Sequence, residues 1–202
     1  MNKVYVIGAG LAGSEAAYQI AEAGIEVTLI EMKPQVFSKA HQSANFAELV
    51  CSNSLRSNLI ENAVGLLKEE LRMNNSFVLK AADLNQVPAG GALAVDREAF
   101  SDYITQYLSG HPKISIERRE VVSLAEFDLT QDYIVIATGP LTSDNLFNDL
   151  KQFLDDDDLY FFDAVAPTVE AESINRNRVF TASRYNKGEA AYLNCPFSKS
   201  EY

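Results

Sequence analysis

Residues 4–34, VYVIGAGLAGSEAAYQIAEAGIEVTLIEMKP, read as a strand, a glycine turn, a helix and a second strand. Val4, Val6 and Ile7 belong to an apolar run that suits a parallel strand buried on both faces. Gly8, Gly10 and Gly13 follow it at G-x-G-x-x-G spacing. The first glycine permits a tight turn, the second lets the backbone approach a pyrophosphate, and the third lets the helix pack closely on the strand. Backbone N–H groups at the helix start then face the phosphates. The pattern predicts a helix from about Leu11 to Glu22, stopped at Gly24 as a C′ residue, and a strand over Glu26 to Glu31. Glu31 ends that strand, where an acid hydrogen-bonds a ribose hydroxyl and repels the 2′-phosphate of NADP.

The rest of the composition fits a globular α/β protein. The 202 residues are 47% hydrophobic, enough for one full domain and part of another. No stretch is long and apolar enough to span a membrane, and the N-terminal apolar segment carries glycines and acids where a signal peptide has its cleavage site. A cytoplasmic location is the default expectation, with Cys51 and Cys195 as reduced thiols. With 28 acids against 17 bases the net charge is −11, which argues against broad nonspecific nucleic-acid binding but leaves room for a local basic patch. The acidic run Asp155 to Asp158 reads as a solvated loop, without the spaced ligands and glycine of a calcium loop. No metal site is expected, and His41 and His111 have no partner at metal or catalytic spacing.

Beyond Pro34 the pattern is irregular through Glu48. Phe46 to Asn58, FAELVCSNSLRSN, then surround Cys51 with Ser52, Asn53, Ser54 and Arg56. Ile60, Val64, Leu67 and Leu71 recur at helical spacing, with Ser57 or Asn58 as cap and an end near Asn74. AGGALA, residues 89–94, reads as a flexible turn. Asp96 caps a helix with Phe100, Tyr103, Ile104, Tyr107 and Leu108 on its apolar face, ended by Gly110 and Pro112. Short strands are predicted around Ile114 and Ile116 and at Val121 and Val122. Tyr133 to Ala137 form a second buried strand running into Thr138-Gly139-Pro140. In flavoproteins with a glutathione-reductase-like nucleotide domain, a strand ending in A-T-G lies beside the first strand and brings its loop near the cofactor. Leu146 to Leu154 fit a short amphipathic helix, and Leu159 to Val169 and Val179 to Ala182 suggest a strand-richer region. A soft boundary near Asp155 divides a nucleotide-binding domain with inserted helices, 1–154, from a partial second domain, 155–202.

VIGAGLAGSEAAYQIA, ELVCSNSLRS, LAVDREAFSDYIT, IVIATGPLTSDNL and SRYNKGEAAYLNCPFSKSEY together resemble the folate- and FAD-dependent tRNA uracil-5 methyltransferases, called TrmFO and formerly Gid. The resemblance covers essentially the whole chain, and the two cysteine segments are more specific than the glycine fingerprint. Family members are longer, so the chain resembles a truncated form that lacks the return to the FAD domain and much of the RNA-binding surface. The resemblance implies a Rossmann-like FAD domain of glutathione-reductase type. It also implies transfer of a one-carbon unit from methylenetetrahydrofolate to a T-loop uracil of tRNA, reduction by FAD, and reloading of the flavin by NAD(P)H.

Carbon 5 of uracil is a poor nucleophile until something adds to carbon 6, and a thiolate is the side chain best suited to that addition. Cys51 and Cys195 are the candidates, and which of them attacks stays open; the common alternative for a free cysteine is burial as a small hydrophobe. Arg56, Arg184 and Lys187 are candidates for lowering a thiol pKa or holding a phosphate, against an ordinary solvated role. For FAD, Gly8, Gly10, Gly13 and Glu31 follow from the physical argument, with Ala9 in the same turn. Thr138 and Gly139 rest on the resemblance, and Lys33 is set at the adenosine side or left as an exposed lysine. Alternatives are the same chemistry on ribosomal RNA, an FAD oxidoreductase without RNA chemistry, and a nucleotide-binding module.

Overall fold

The computed structural model describes residues 3–155, 169–183 and 189–199. In chain order the first elements are β1 (Val4–Ile7), α1 (Leu11–Glu22), β2 (Val27–Glu31), β3 (Ser54–Ser57), α2 (Ala63–Met73), α3 (Phe77–Leu84), β4 (Gln86–Val87) and β5 (Ala92–Val95). There follow α4 (Arg97–Gly110), β6 (Ile114–Arg118), β7 (Tyr133–Ile136), α5 (Asp144–Leu154), β8 (Phe180–Ala182) and β9 (Tyr192–Asn194). β6, β2, β1 and β7 form a parallel sheet in that order. Its winding reverses between β1 and β7, and ligands of open α/β sheets bind outside the strand ends at such a switch point.

Helices and loops cover both faces of this sheet, which is why β1 and β2 are apolar without alternation. On one side Val6 and Leu29 pack with Ala17, Ala21, Phe77, Phe100, Ile104 and Leu108; on the other Ile7 and Ile30 meet Val121, Leu124, Leu146 and Leu150. Tyr18 stacks on Phe77 at 4.7 Å between ring centroids, and Tyr107 meets Phe77 at 4.8 Å. α1, β2, α4 and α5 match their predicted spans closely, with Asp96 accepting from the Ala99 N–H at the start of α4 and Gly24 at φ +86° after α1.

Four expectations are corrected. β7 does lie beside β1, but it is not a buried strand: Tyr133 is 63% exposed and Ile136 41%, because β7 is the outer strand and has no neighbour on its far side among the described residues. The turn expected over 89–94 is confined to Gly90 and Gly91, since Ala92–Val95 form the central strand of an antiparallel sheet ordered β3-β5-β4. Val121 and Val122 form no strand and lead into a 3₁₀ turn at Leu124–Glu126. α2 begins at Ala63 behind Asn62, not at Ser57 or Asn58, and its stripe is not core: Ile60, Leu67 and Leu71 are exposed while Gly65 and Lys68 face inward. A Cβ on Gly65 would lie 1.9 Å from the Leu59 carbonyl oxygen, so close approach of backbone to backbone sets the roll of that helix. Lys68 then donates to the Ser57 and Val64 carbonyls, and burial, with help from Arg72 and Arg56, lowers its pKa. The strand-rich expectation for Leu159 to Val169 falls mostly outside the described residues.

α3 was not predicted. Glu15 holds it, accepting from Ser76 Oγ at 2.9 Å, Phe77 N–H at 3.1 Å and Val78 N–H at 2.8 Å, so a carboxylate on α1 satisfies the orphan donors at the start of α3. Glu15→Ala is expected to cost about 1–2 kcal/mol, by analogy with the loss of a helix cap. Thermal melting should show the lowered midpoint, and a midpoint equal to wild type would remove this role.

Candidate functional site

A cavity of ≈ 270 Å³ opens at the switch point, between the ends of β1, β2 and β7. Its wall includes Gly8, Ala9, Gly10, Glu31, Lys33, Thr138 and Gly139, all of the predicted cofactor residues except Gly13. The volume lies just below the roughly 300–1,000 Å³ of typical small-molecule pockets.

The three glycines divide the work as their spacing predicts. Gly8 has φ +94°, and a Cβ on it would lie 2.8 Å from the Ala137 carbonyl oxygen. On Gly13 a Cβ would stand 1.8 Å from the Gly8 carbonyl oxygen, so α1 starts in direct contact with the turn. A Cβ on Gly10 would meet nothing within 4 Å: the space beside it is empty of protein. Gly10 is also the N-cap of α1 and supplies no side-chain cap. The first N–H groups of the helix, which have no acceptor within it, therefore open onto the place where a phosphate group fits.

Glu31 is 6% exposed, and its two carboxylate oxygens accept from the Ala9 N–H at 2.8 Å and the Lys33 N–H at 3.0 Å. The glycine turn and the end of β2 are thus tied together, and each oxygen keeps a lone pair for a hydroxyl of a ligand. Ala9 lines the cavity, but its N–H is held by Glu31 and its carbonyl by the Ala47 N–H, so it shapes the turn. Lys33 is not an exposed lysine: it is 2% exposed, and its ammonium is bound by the Asn45 carbonyl at 2.7 Å and Glu48 at 3.2 Å. Thr138 Oγ1 and Thr142 Oγ1 lie 2.6 Å apart, and Gly139 has φ +64°. This set fits a dinucleotide: an open helix start beside a glycine with free space, a positioned acid at the end of β2, and a loop at the end of β7.

Cys51 and Cys195 are both exposed free thiols, so burial as small hydrophobes does not account for them. Cys51 lies one residue beyond Val50, which lines the cavity, and just before β3; Cys195 directly follows β9. Arg56 is exposed with φ +70°, and Arg184 and Lys187 lie outside the described residues. His41, read as an ordinary polar residue, lines the cavity with Nδ1 2.8 Å from Ser38 Oγ. Among the described residues no group of three or more His, Cys, Asp or Glu converges as a metal site, and no helix is long and apolar enough to cross a membrane.

Sequence reading missed the 33–48 loop and Arg119 as walls of this cavity, and Arg118, which ends β6 behind that wall. The signal was present in the alternation Ile114, Ile116, Arg118, which puts an arginine on the same side of the strand as two apolar residues. Arg119 lines the cavity and is held by Glu117 at 2.8 Å and Glu126 at 2.6 Å. Burial alone would raise the Glu126 carboxyl, but the Val122 and Ser123 amides and the Arg119 guanidinium hold it below its ordinary value of 4.5. Its folded-state pKa is depressed, so its contribution is present above the unfolded value and lost as pH falls through the folded one. The stability difference between wild type and Glu126→Gln should therefore shrink as the pH drops below about 4.5. Urea melts across pH 3 to 6 read this directly, and a constant difference would contradict it.

These features define a dinucleotide-binding α/β domain of Rossmann type. The chain belongs to the glucose inhibited division protein A family, whose family model matches residues 3–202. Two curated relatives carry the name methylenetetrahydrofolate–tRNA-(uracil-5-)-methyltransferase TrmFO. The Lactobacillus gasseri protein is 55% identical over 202 residues, covering 100% of this chain and 45% of its own length. The Desulforamulus reducens protein is 56% identical over 201 residues, with coverage of 100% and 45%. The chain thus spans about half the length of the curated relatives it matches. Aquifex aeolicus GidA superimposes with a TM-score of 0.54 at 17% identity, covering 68% of this chain and 25% of that one, a likeness of fold.

Proposed function

We propose that this chain is part of an FAD-dependent enzyme that methylates carbon 5 of uracil in tRNA with methylenetetrahydrofolate as one-carbon donor. The observation that carries this reading is identity of about 55% to TrmFO proteins along the whole chain. Gly10 and the first N–H groups of α1 would hold the pyrophosphate of FAD, Glu31 a ribose hydroxyl, and Thr138 and Gly139 the side towards β7. The cavity suits one nucleotide half, so the rest of the cofactor would extend beyond it. When bound, the flavin supplies the reducing equivalents that convert the transferred carbon to a methyl group, and NADH or NADPH reloads it.

The chain's own chemistry is that of its thiols. One of Cys51 and Cys195 adds as thiolate to uracil carbon 6, which makes carbon 5 nucleophilic towards the one-carbon unit; loss of the carbon 5 proton to a base or solvent then expels the thiolate and restores the ring double bond. Both are exposed, as attack on a macromolecular substrate requires. The polypeptide works in the cytoplasm, with residues 1–154 as the cofactor unit and 155–202 as the start of the next. The test is an assay of the full-length protein with methylenetetrahydrofolate, NADH and unmodified tRNA, with ribosomal RNA as a parallel substrate. Formation of 5-methyluridine in tRNA is expected. Its absence would overturn the proposal, and methylation of ribosomal RNA alone would reassign the substrate.

A further inference from the structure

We infer that Arg118 is a positioning residue for the cofactor cavity, clamping the 33–48 loop so that Ala47 and Glu48 stand as a fixed wall beside the glycine turn. This rests on the reading that a dinucleotide occupies the cavity.

Arg118 closes β6 and pairs in register with Glu31, the last residue of β2. Its Nη1 donates to the Lys33 carbonyl at 2.9 Å and the Ala44 carbonyl at 2.8 Å, so one guanidinium joins the two ends of the loop. The guanidinium carbon also lies 4.2 Å from the ring centroid of Phe46, a fully buried side chain. A planar, delocalised cation does both at once, stacking by its face and donating from its edge; an ammonium does not. Among the described residues Arg118 makes no ion pair within 4 Å, and its acceptors are main-chain carbonyls. A partly buried charge spent on loop carbonyls points to the loop as its purpose.

What the loop presents follows from that clamp. Phe46 N–H donates to Thr105 Oγ1 at 2.8 Å, and Ala47 N–H donates to the Ala9 carbonyl at 2.8 Å. Ala47 sits at φ +50°, a left-handed conformation that a residue with a Cβ keeps only when its surroundings hold it. Glu48 accepts from the Gln42 and Ser43 N–H groups and from Lys33 Nζ. Arg118, Phe46, Ala47 and Ala9 are therefore in contact in sequence, and Ala9 is the turn residue whose N–H binds Glu31. Arg118 reaches the wall through these neighbours, and Glu31, its register partner on β2, lies close enough to act on its charge directly.

The full-length wild-type protein, Arg118→Gln and Arg118→Lys are titrated with FAD by flavin fluorescence, alongside thermal melts and amide hydrogen exchange. In Arg118→Gln the Phe46 and Ala47 amides should exchange faster while those of β1 keep their protection, and the FAD Kd should rise by about tenfold or more, as for a site whose supporting shell is loosened. Arg118→Lys should recover only part of the affinity. An FAD Kd within twofold of wild type in folded Arg118→Gln overturns the inference, whatever the melting temperature does. If Arg118→Gln does not fold, Arg118→Lys decides by the same twofold criterion. A wild-type chain that takes up no FAD overturns the cofactor reading instead. The clamp is then judged on exchange, where unchanged Phe46 and Ala47 amides in the glutamine or lysine variant overturn it.

Discussion

Gly13→Ala is expected to abolish cooperative folding, whereas Gly10→Ala, three residues earlier in the same motif, is expected to fold and lose its cofactor. At Gly13 the added methyl would stand 1.8 Å from the Gly8 carbonyl oxygen and 3.3 Å from the Ala137 Cβ, so α1 would have to lift off both β1 and the loop after β7. Its partner in the clash is backbone, which cannot swing aside as a side chain can. Overpacking a core typically costs 1–3 kcal/mol, and a displaced helix costs more, which is a large share of the roughly 5–15 kcal/mol that stabilises a domain. At Gly10 the methyl meets no protein atom within 4 Å. With no clash, thermal stability should stay within about 0.5 kcal/mol of wild type, while on the proposed reading the methyl enters the space for the pyrophosphate. The FAD Kd should rise by about tenfold or more, since a methyl there keeps the backbone from close approach to the phosphates. Circular dichroism melts and fluorescence titration separate the two. A Gly10→Ala protein that binds FAD normally would show that the ligand does not approach the turn.

Cys51→Ala and Cys195→Ala should each leave folding intact in the full-length protein, because both side chains are exposed and substitutions at such positions are near neutral. Methylation of tRNA should fall on the order of 10³-fold or more in the variant that lacks the attacking thiol, the scale seen when a covalent nucleophile is removed. A covalent protein–RNA adduct, trapped and detected by gel shift, should disappear in that same variant. An FAD oxidoreductase without RNA chemistry would instead oxidise NADH equally well in both variants and form no adduct. If both variants methylate tRNA at wild-type rate, neither Cys51 nor Cys195 is the thiol that adds to uracil.

The glycine motif was legible because its constraints are local: the turn, the helix start and the acid at the end of β2 lie within one βαβ unit. The helix over Arg97–Gly110 was legible for a similar reason, since an N-cap aspartate and a 3.6-residue apolar period need no tertiary information. The apolar stripe of α2 misled because periodicity reports which side is greasy and not what covers it. There the approach of Gly65 to the Leu59 carbonyl decides the roll, and the stripe faces outward. β7 misled likewise: its composition suits a strand flanked on both sides, while its place at the edge of the sheet depends on strand order.

The same division applies to the site. From residues 4–34 alone came the glycine turn, the open start of α1 and the acid beside it at the end of β2, because each depends on backbone geometry that glycine spacing dictates. The wall opposite that turn came from long-range contacts: Lys33 drawn inward to Asn45 and Glu48, Ala47 held left-handed against Ala9, and Arg118 reaching across from β6. Those contacts join positions up to 85 residues apart, and no local pattern encodes them. The exposure of the two thiols belongs with them, since a cysteine is as readily buried as presented until the surrounding chain has packed.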